Sequence, residues 1–237
     1  MLDLLTTTLT AKEFWTTLGG AVIGGLISFS ILMKTLREAR RNRQEDRRRI
    51  DQALGNAIHF KLSRMHSNLN GLRRHFDECF AHNRIDPKAQ PWQFTKPIVN
   101  LPDALHFTPE EMGMLLGLKN DVVFNAVVEL DLLHNTTFDA ARAMFAERLK
   151  LLEMLNPHHV DPSMLVSGVL NPETEVAVRA HMLQVNDLIR SVYAMAQRES
   201  ESSRAALRQL NELLRKELGL AYKLQFTDET LSPEPRT

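Results

Sequence analysis

The strongest constraint on this chain lies at residues 14–33, FWTTLGGAVIGGLISFSILM, twenty residues without one charged side chain. At ~1.5 Å rise per residue such a helix spans ~30 Å, the thickness of a bilayer's hydrocarbon core. Lipid offers no hydrogen bonds, so a lone apolar span there is expected to be helical. Trp15 stands at one end, where an amphipathic ring favours the interface, and Lys34 opens a charged flank at the other. The apolar core is too long for a cleaved signal peptide. Its leader is not basic, and no small-x-small cleavage pattern follows. A buried helix of a water-soluble domain is the competing reading. It would force the charged run after Met33 against a core.

The flanks set an expected orientation. Asp3, Lys12 and Glu13 precede the span. Lys34, Arg37, Arg40, Arg41, Arg43, Arg47, Arg48 and Arg49 follow it, opposed only by Glu38, Glu45 and Asp46. Lys and Arg resist translocation, so the N-terminus is expected outside and the bulk of the chain in the cytoplasm. The expected location is the cell membrane, the inner one in a bacterium. Overall charge is balanced, with 29 basic and 29 acidic residues, but residues 1–50 hold nine basic and five acidic groups. The positive charge therefore belongs to the flank and not to a nucleic-acid-binding face.

Small residues at Thr16, Gly20, Gly24 and Ser28 fall four apart on one face, with Ala21 and Gly25 in an adjacent row. This spacing lets two helix backbones approach closely and predicts helix–helix packing in the membrane. The basic run either binds anionic lipid or only sets topology. In a straight helix only ~5 residues lie within a Debye length of ~8 Å of the surface, which favours topology and a solvated stalk.

From Ile58 the pattern changes. Ile58, Leu62, Met65, Leu69, Leu72, Phe76 and Cys79 step by four and three, a heptad seam that packs within the domain or against a second chain. Pro87, Pro91, Pro97 and Pro102 interrupt residues 83–107, where Trp92, Phe94, Ile98 and Leu101 point to an ordered loop over the bundle. Thr108-Pro109-Glu110-Glu111 is a capping box that starts a short helix ending near Gly117. Asn120-Asp121 starts the next. Its expected stripe is Val123, Val127, Leu130, His134, Phe138, Ala141, Phe145, Leu149 and Leu152, with a kink at Asn135-Thr136-Thr137 and an end at Asn156-Pro157. Asp161-Pro162 marks a short turn, and Asn171-Pro172-Glu173 starts the last long helix. Its apolar stripes are Val178, Val185, Leu188, Ile189, Val192 and Met195, then Ala206, Leu210, Leu213 and Leu214. The polar stretch Glu199 to Arg204 between them reads as a bend or a departure from the bundle, and Gly219 as the end.

Apolar content of 43% supports a folded chain, and 6% aromatics with abundant Leu, Ala, Glu and Arg favours helices. The expected fold class is all-α. Residues 1–13 form a short outer segment, 14–33 a transmembrane helix and 34–57 a basic juxtamembrane stalk. Residues 58–225 form a cytoplasmic antiparallel bundle with three long helices, and 226–237 a disordered tail.

One cysteine excludes an internal disulfide. His75, Cys79 and His82 share a helix face at i, i+4 and i+7 and are the weak candidate metal ligands, with His158 or His159 as a possible fourth. Cys79 equally fits the apolar seam. Asp131 and His134 have carboxylate-x-x-His spacing but no second copy for a dinuclear centre. No phosphate loop and no nucleophile elbow occurs, so no catalytic residue and no cofactor is expected. Basic residues after position 50 are not interleaved with stacking aromatics, which disfavours nucleic acid. The expected partners are the lipid bilayer and a second copy or another helical protein. The leading expectation is a non-enzymatic membrane-anchored interaction or scaffold protein that self-associates. A membrane-linked signal relay and a metal-binding bundle are the alternatives.

Overall fold

Steps of four and three dominate the packed part of the chain because they keep one face of an α-helix turned inward. The computed structural model describes the backbone of residues 2–81, 88–155, 159–160, 166–167 and 175–222. Side chains are described within these ranges except at 2–14, 17, 19, 21–23, 159–160 and 166–167. The described residues are all-α apart from one pair of two-residue strands. Helix α1 spans Leu2–Ala81, α2 Pro91–Phe94, α3 Pro109–Gly117, α4 Asp121–Leu155 and α5 Glu175–Leu218. Strands β1 (His159–Val160) and β2 (Val166–Ser167) pair antiparallel, His159 opposite Ser167.

The chain divides into two compact units, Met1–Asp51 and Gln52–Thr237. In the first, residues 24–50 are exposed throughout, including Leu26, Ile27, Phe29, Ile31 and Leu32. Among the described residues, no helix is long and apolar enough to cross a membrane. The expected span at 14–33 includes Phe14, Thr17, Gly19, Ala21, Val22 and Ile23, whose side chains lie outside the description.

In the second unit the seam Ile58, Leu62, Met65, Leu69, Leu72, Phe76 and Cys79 is buried to the last residue, and it packs within the chain. Buried positions of α4 keep the same spacing: Val123, Val127, Leu130, His134, Thr137, Ala141, Met144, Arg148, Leu151 and Leu155. Of the expected continuation, Phe145 and Leu152 are half-buried against the core, but Leu149 is exposed. Two consecutive four-residue steps turn a stripe by ~40° each, which carries it off the core. Helix α4 continues unbroken through Asn135-Thr136-Thr137. Helix α5 likewise continues unbroken through Glu199–Arg204 and stays packed there, where a bend or departure was expected. Glu199, Ser200 and Ser203 turn inward, because partners from α1 and Arg198 meet them.

The expected antiparallel bundle of three long helices has one parallel pair. Helix α5 does oppose α1: Gln52 bonds Leu218, His66 bonds Ser203, Asn70 bonds Ser200 and Asp77 bonds Tyr193. Helix α4 runs parallel to α1. Lys61 meets Glu111 just ahead of α4, Asn68 meets His134, and Trp92, two residues before Phe94, is held by Arg148 near the end of α4. The Pro-rich segment makes this possible by returning along the bundle as an extended strap. Lys96 lies against His75, and His106 lies against Lys61. Ten extended residues reach up to ~33 Å, more than the ~21 Å that fourteen helical residues of α1 cover. One helical turn, α2, interrupts the strap and buries Trp92 and Phe94.

The predicted capping box is present: Thr108 Oγ1 accepts from Glu111 N–H, and the Glu111 carboxylate accepts from Thr108 N–H at 2.7 Å. Gly219 closes α5 at φ 72°, a left-handed turn that glycine tolerates, and Leu220 N–H then donates to Leu214 C=O. The expected features at Asn156-Pro157, Asp161-Pro162, Asn171-Pro172-Glu173 and 226–237 lie outside the described residues, as does the strap at 82–87.

Candidate functional site

Among the described residues, chemistry-bearing side chains gather near the end of α1 and across its middle. At the end of α1, the last seam position carries Cys79, 3% exposed. One turn earlier His75 places Nε2 2.8 Å from Lys96 C=O and 3.7 Å from Cys79 Sγ. A carbonyl only accepts, so Nε2 carries the proton and leans toward the sulfur. Lys96 N–H donates to the same sulfur at 3.5 Å. Burial alone would raise the thiol pKa. The His75 bond, the Lys96 N–H and the charges of both residues outweigh it, and Cys79 falls below the ordinary thiol value. His75 rises, first through its bond to Cys79. Arg148, 8% exposed, donates from Nε to Trp92 C=O; burial lowers its pKa and the nearby Cys79 opposes this.

This cluster lowers the pKa of the thiol but buries the sulfur. Its residues are engaged in pinning the strap to α1 and α4, with Asn186 of α5 accepting from Trp92 N–H and donating to Gln90. Of the proposed ligand set, His75 and Cys79 are brought together, while His82 and His158 lie outside the described residues, as does the side chain of His159. Metal binding would require His75 Nε2 to give up its proton and the Lys96 carbonyl. Among the described residues no three His, Cys, Asp or Glu groups converge on a metal position.

Across the middle lies a layer of polar side chains. His66 Nδ1 is 2.9 Å from Ser203 Oγ, and Ser203 donates to Ser200 C=O. Ser200 bonds Asn70. His134, fully buried, touches Asn68 and Asn135. Asn135 grips the strap through both Leu105 N–H and Leu105 C=O. Burial is the first cause that lowers the pKa of both His66 and His134. The carboxylate-x-x-His pair is thus split: His134 serves the layer, and Asp131 faces His106 of the strap.

An open groove of ≈ 530 Å³ between α1 and α5 is lined by Arg73, Asp77, Ala194, Gln197, Arg198 and Glu201. Asp77 accepts from Tyr193 at 2.5 Å. Burial, then this bond, pushes the Tyr193 pKa up to about 12. In the N-terminal unit, Thr16, Gly20, Gly24 and Ser28 are all exposed, and a Cβ added at Gly20, Gly24 or Gly25 would meet nothing within 4 Å. Lys34, Arg37, Arg40, Arg41, Arg43, Arg47, Arg48 and Arg49 are exposed too, with Arg41 paired to Glu45.

Sequence reading missed Arg148, Asn186 and the inward turn of Glu199, Ser200 and Ser203. Carrying the heptad step through polar positions would have found Arg148, Glu199 and Ser203. Nothing local marks Asn186.

These features define an all-α helical bundle with a long N-terminal helix. No protein-family model matches the chain, and no curated protein and no solved structure shows significant similarity to it.

Proposed function

We propose that this chain is a non-enzymatic, single-pass membrane-anchored helical interaction protein that self-associates through its N-terminal segment. One observation carries the reading: from Gly24 to Met33 every residue is uncharged and exposed, and an exposed basic run follows directly. A helix that is apolar all round has no stable place in water. Burying Leu26, Ile27, Phe29, Ile31 and Leu32 in hydrocarbon would contribute on the order of 10 kcal/mol, at roughly 1.5–3 kcal/mol per side chain. The arginines that follow keep their end on the cytoplasmic side. The open small-residue face at Thr16, Gly20, Gly24 and Ser28 supports close pairing with a second copy. The single buried thiol and the buried polar layer offer a substrate no access, which favours an interaction role over catalysis.

Alkaline carbonate extraction of native membranes tests the anchor. The full chain is expected to stay with the pellet, and protease added outside sealed cells is expected to leave residues 52–237 intact. Release by carbonate would overturn the reading. Cross-linking in membranes tests self-association separately: a dimer band is expected, and Gly20→Leu with Gly24→Leu should abolish it without releasing the chain.

A further inference from the structure

His134 is fully buried, and its neighbours dictate where its proton sits. The side-chain amide of Asn135 has a single orientation that fits. Its Nδ2 donates to Leu105 C=O at 2.8 Å and to Asp131 C=O at 2.9 Å, while its Oδ1 accepts from Leu105 N–H at 3.0 Å. Oδ1 also lies 3.0 Å from His134 Nδ1 and can only accept there. The imidazole therefore carries its hydrogen on Nδ1 and a lone pair on Nε2. That lone pair faces Asn68 Nδ2 of α1 at 3.3 Å. Three elements meet at this ring: α1 through Asn68, α4 through His134 and Asn135, and the strap through Leu105.

We infer that His134 is an acid-sensitive latch that ties α1 to α4 while its ring is neutral and lets α1 go when Nε2 takes a proton. A proton on Nε2 turns the contact with Asn68 into donor against donor. It also places a cation on a fully buried ring. Arg64 of α1 and Arg142 of α4 face the ring with like charge, and Asp131 of α4 offers the nearest opposite charge. Asp131 Oδ2 lies 3.5 Å from His106 of the strap, and its Oδ1 is buried without a hydrogen bond. Helix α5 brings Ser200 and Ser203 to this layer, with Glu199 paired to Arg198. Burial is the main cause holding the His134 pKa down, and the two arginines add to it against Asn135 and Asp131. The unfolded chain then binds a proton near pH ~6.5 that the folded chain refuses. The stability from this residue is full above that pH and is lost as the pH falls below it.

The test uses the full-length chain in mild detergent with ¹⁵N-labelled histidine. One ring, assigned to His134 by its loss in His134→Asn, is expected to show protonated Nδ1 and bare Nε2 at pH 7. It should titrate below the exposed histidines. Asn68→Asp supplies an acceptor and a negative charge to Nε2. It should raise that titration by about one unit, a tenfold change in proton affinity, and shrink the drop in urea midpoint between pH 7.5 and 5.5. A hydrogen on Nε2 at neutral pH, titration together with the exposed rings, or an Asn68→Asp titration unchanged from wild type would each overturn the latch. If Asn68→Asp fails to fold, the wild-type titration still decides, and His134→Gln gives the assignment if His134→Asn does not fold.

Discussion

Thr137 sits in the buried stripe of α4, wholly shielded from solvent, and its hydroxyl has no hydrogen-bond partner. An unmet buried donor costs its desolvation, and removing it with the shape kept recovers that cost. Thr137→Val is therefore expected to stabilise the bundle by about 1 kcal/mol, read as a higher urea midpoint at unchanged slope. A loss of stability would mean that the hydroxyl is bonded in solution. Its neighbour Asn135 shows the opposite case, with its amide used on both sides and the strap's Leu105 depending on it. The heptad spacing marked position 134 as buried. It did not reveal that His134 would be met there by Asn68, 66 residues away along the chain.

Helix α1 changes character at the boundary between the two units. Extending its seam backward from Ile58 lands on Gly55, Asp51, Arg48, Gln44, Arg41, Arg37 and Lys34. No apolar seam remains, so a paired coiled coil in this phase would place arginine against arginine. Gly55 marks the last close approach. A Cβ there would lie 3.1 Å from Leu218 Cδ1 and 3.2 Å from Leu214 Cδ2 and from Leu220 Cδ1. Gly71 on the same helix has open space around it. Gly71→Ala is expected to stabilise by about 0.5–1 kcal/mol through helix propensity. Gly55→Val should cost about 1–3 kcal/mol through overpacking. Paired urea titrations check both, and equal effects at the two sites would contradict the packing at Gly55.

Among the described residues, every position of the hydrophobic core lies at Ile58 or beyond, and Leu54 is the first side chain packed against it. The bundle therefore carries its own core, as an independent folding unit must. A fragment of residues 52–237 is expected to unfold cooperatively, with a melting midpoint within about 4 °C of the full chain's. That allowance corresponds to about 1 kcal/mol for a chain of this size. Circular dichroism on heating tests this, and a fragment without a cooperative transition would show that residues 1–51 are needed for folding. The all-α class, the extent of α3 and α4 and the capping box at Thr108 were legible because they rest on neighbours three or four residues apart.

Local spacing thus decided which segments are helical and most of the apolar positions that turn inward, since helix geometry repeats every few residues. The parallel course of α1 and α4, the strap that permits it and the satisfied polar layer came from packing. In the layer, buried polar side chains meet partners that another element delivers, as Ser203 does for His66 across 137 residues. No short-range pattern specifies that delivery. Folding the whole bundle does.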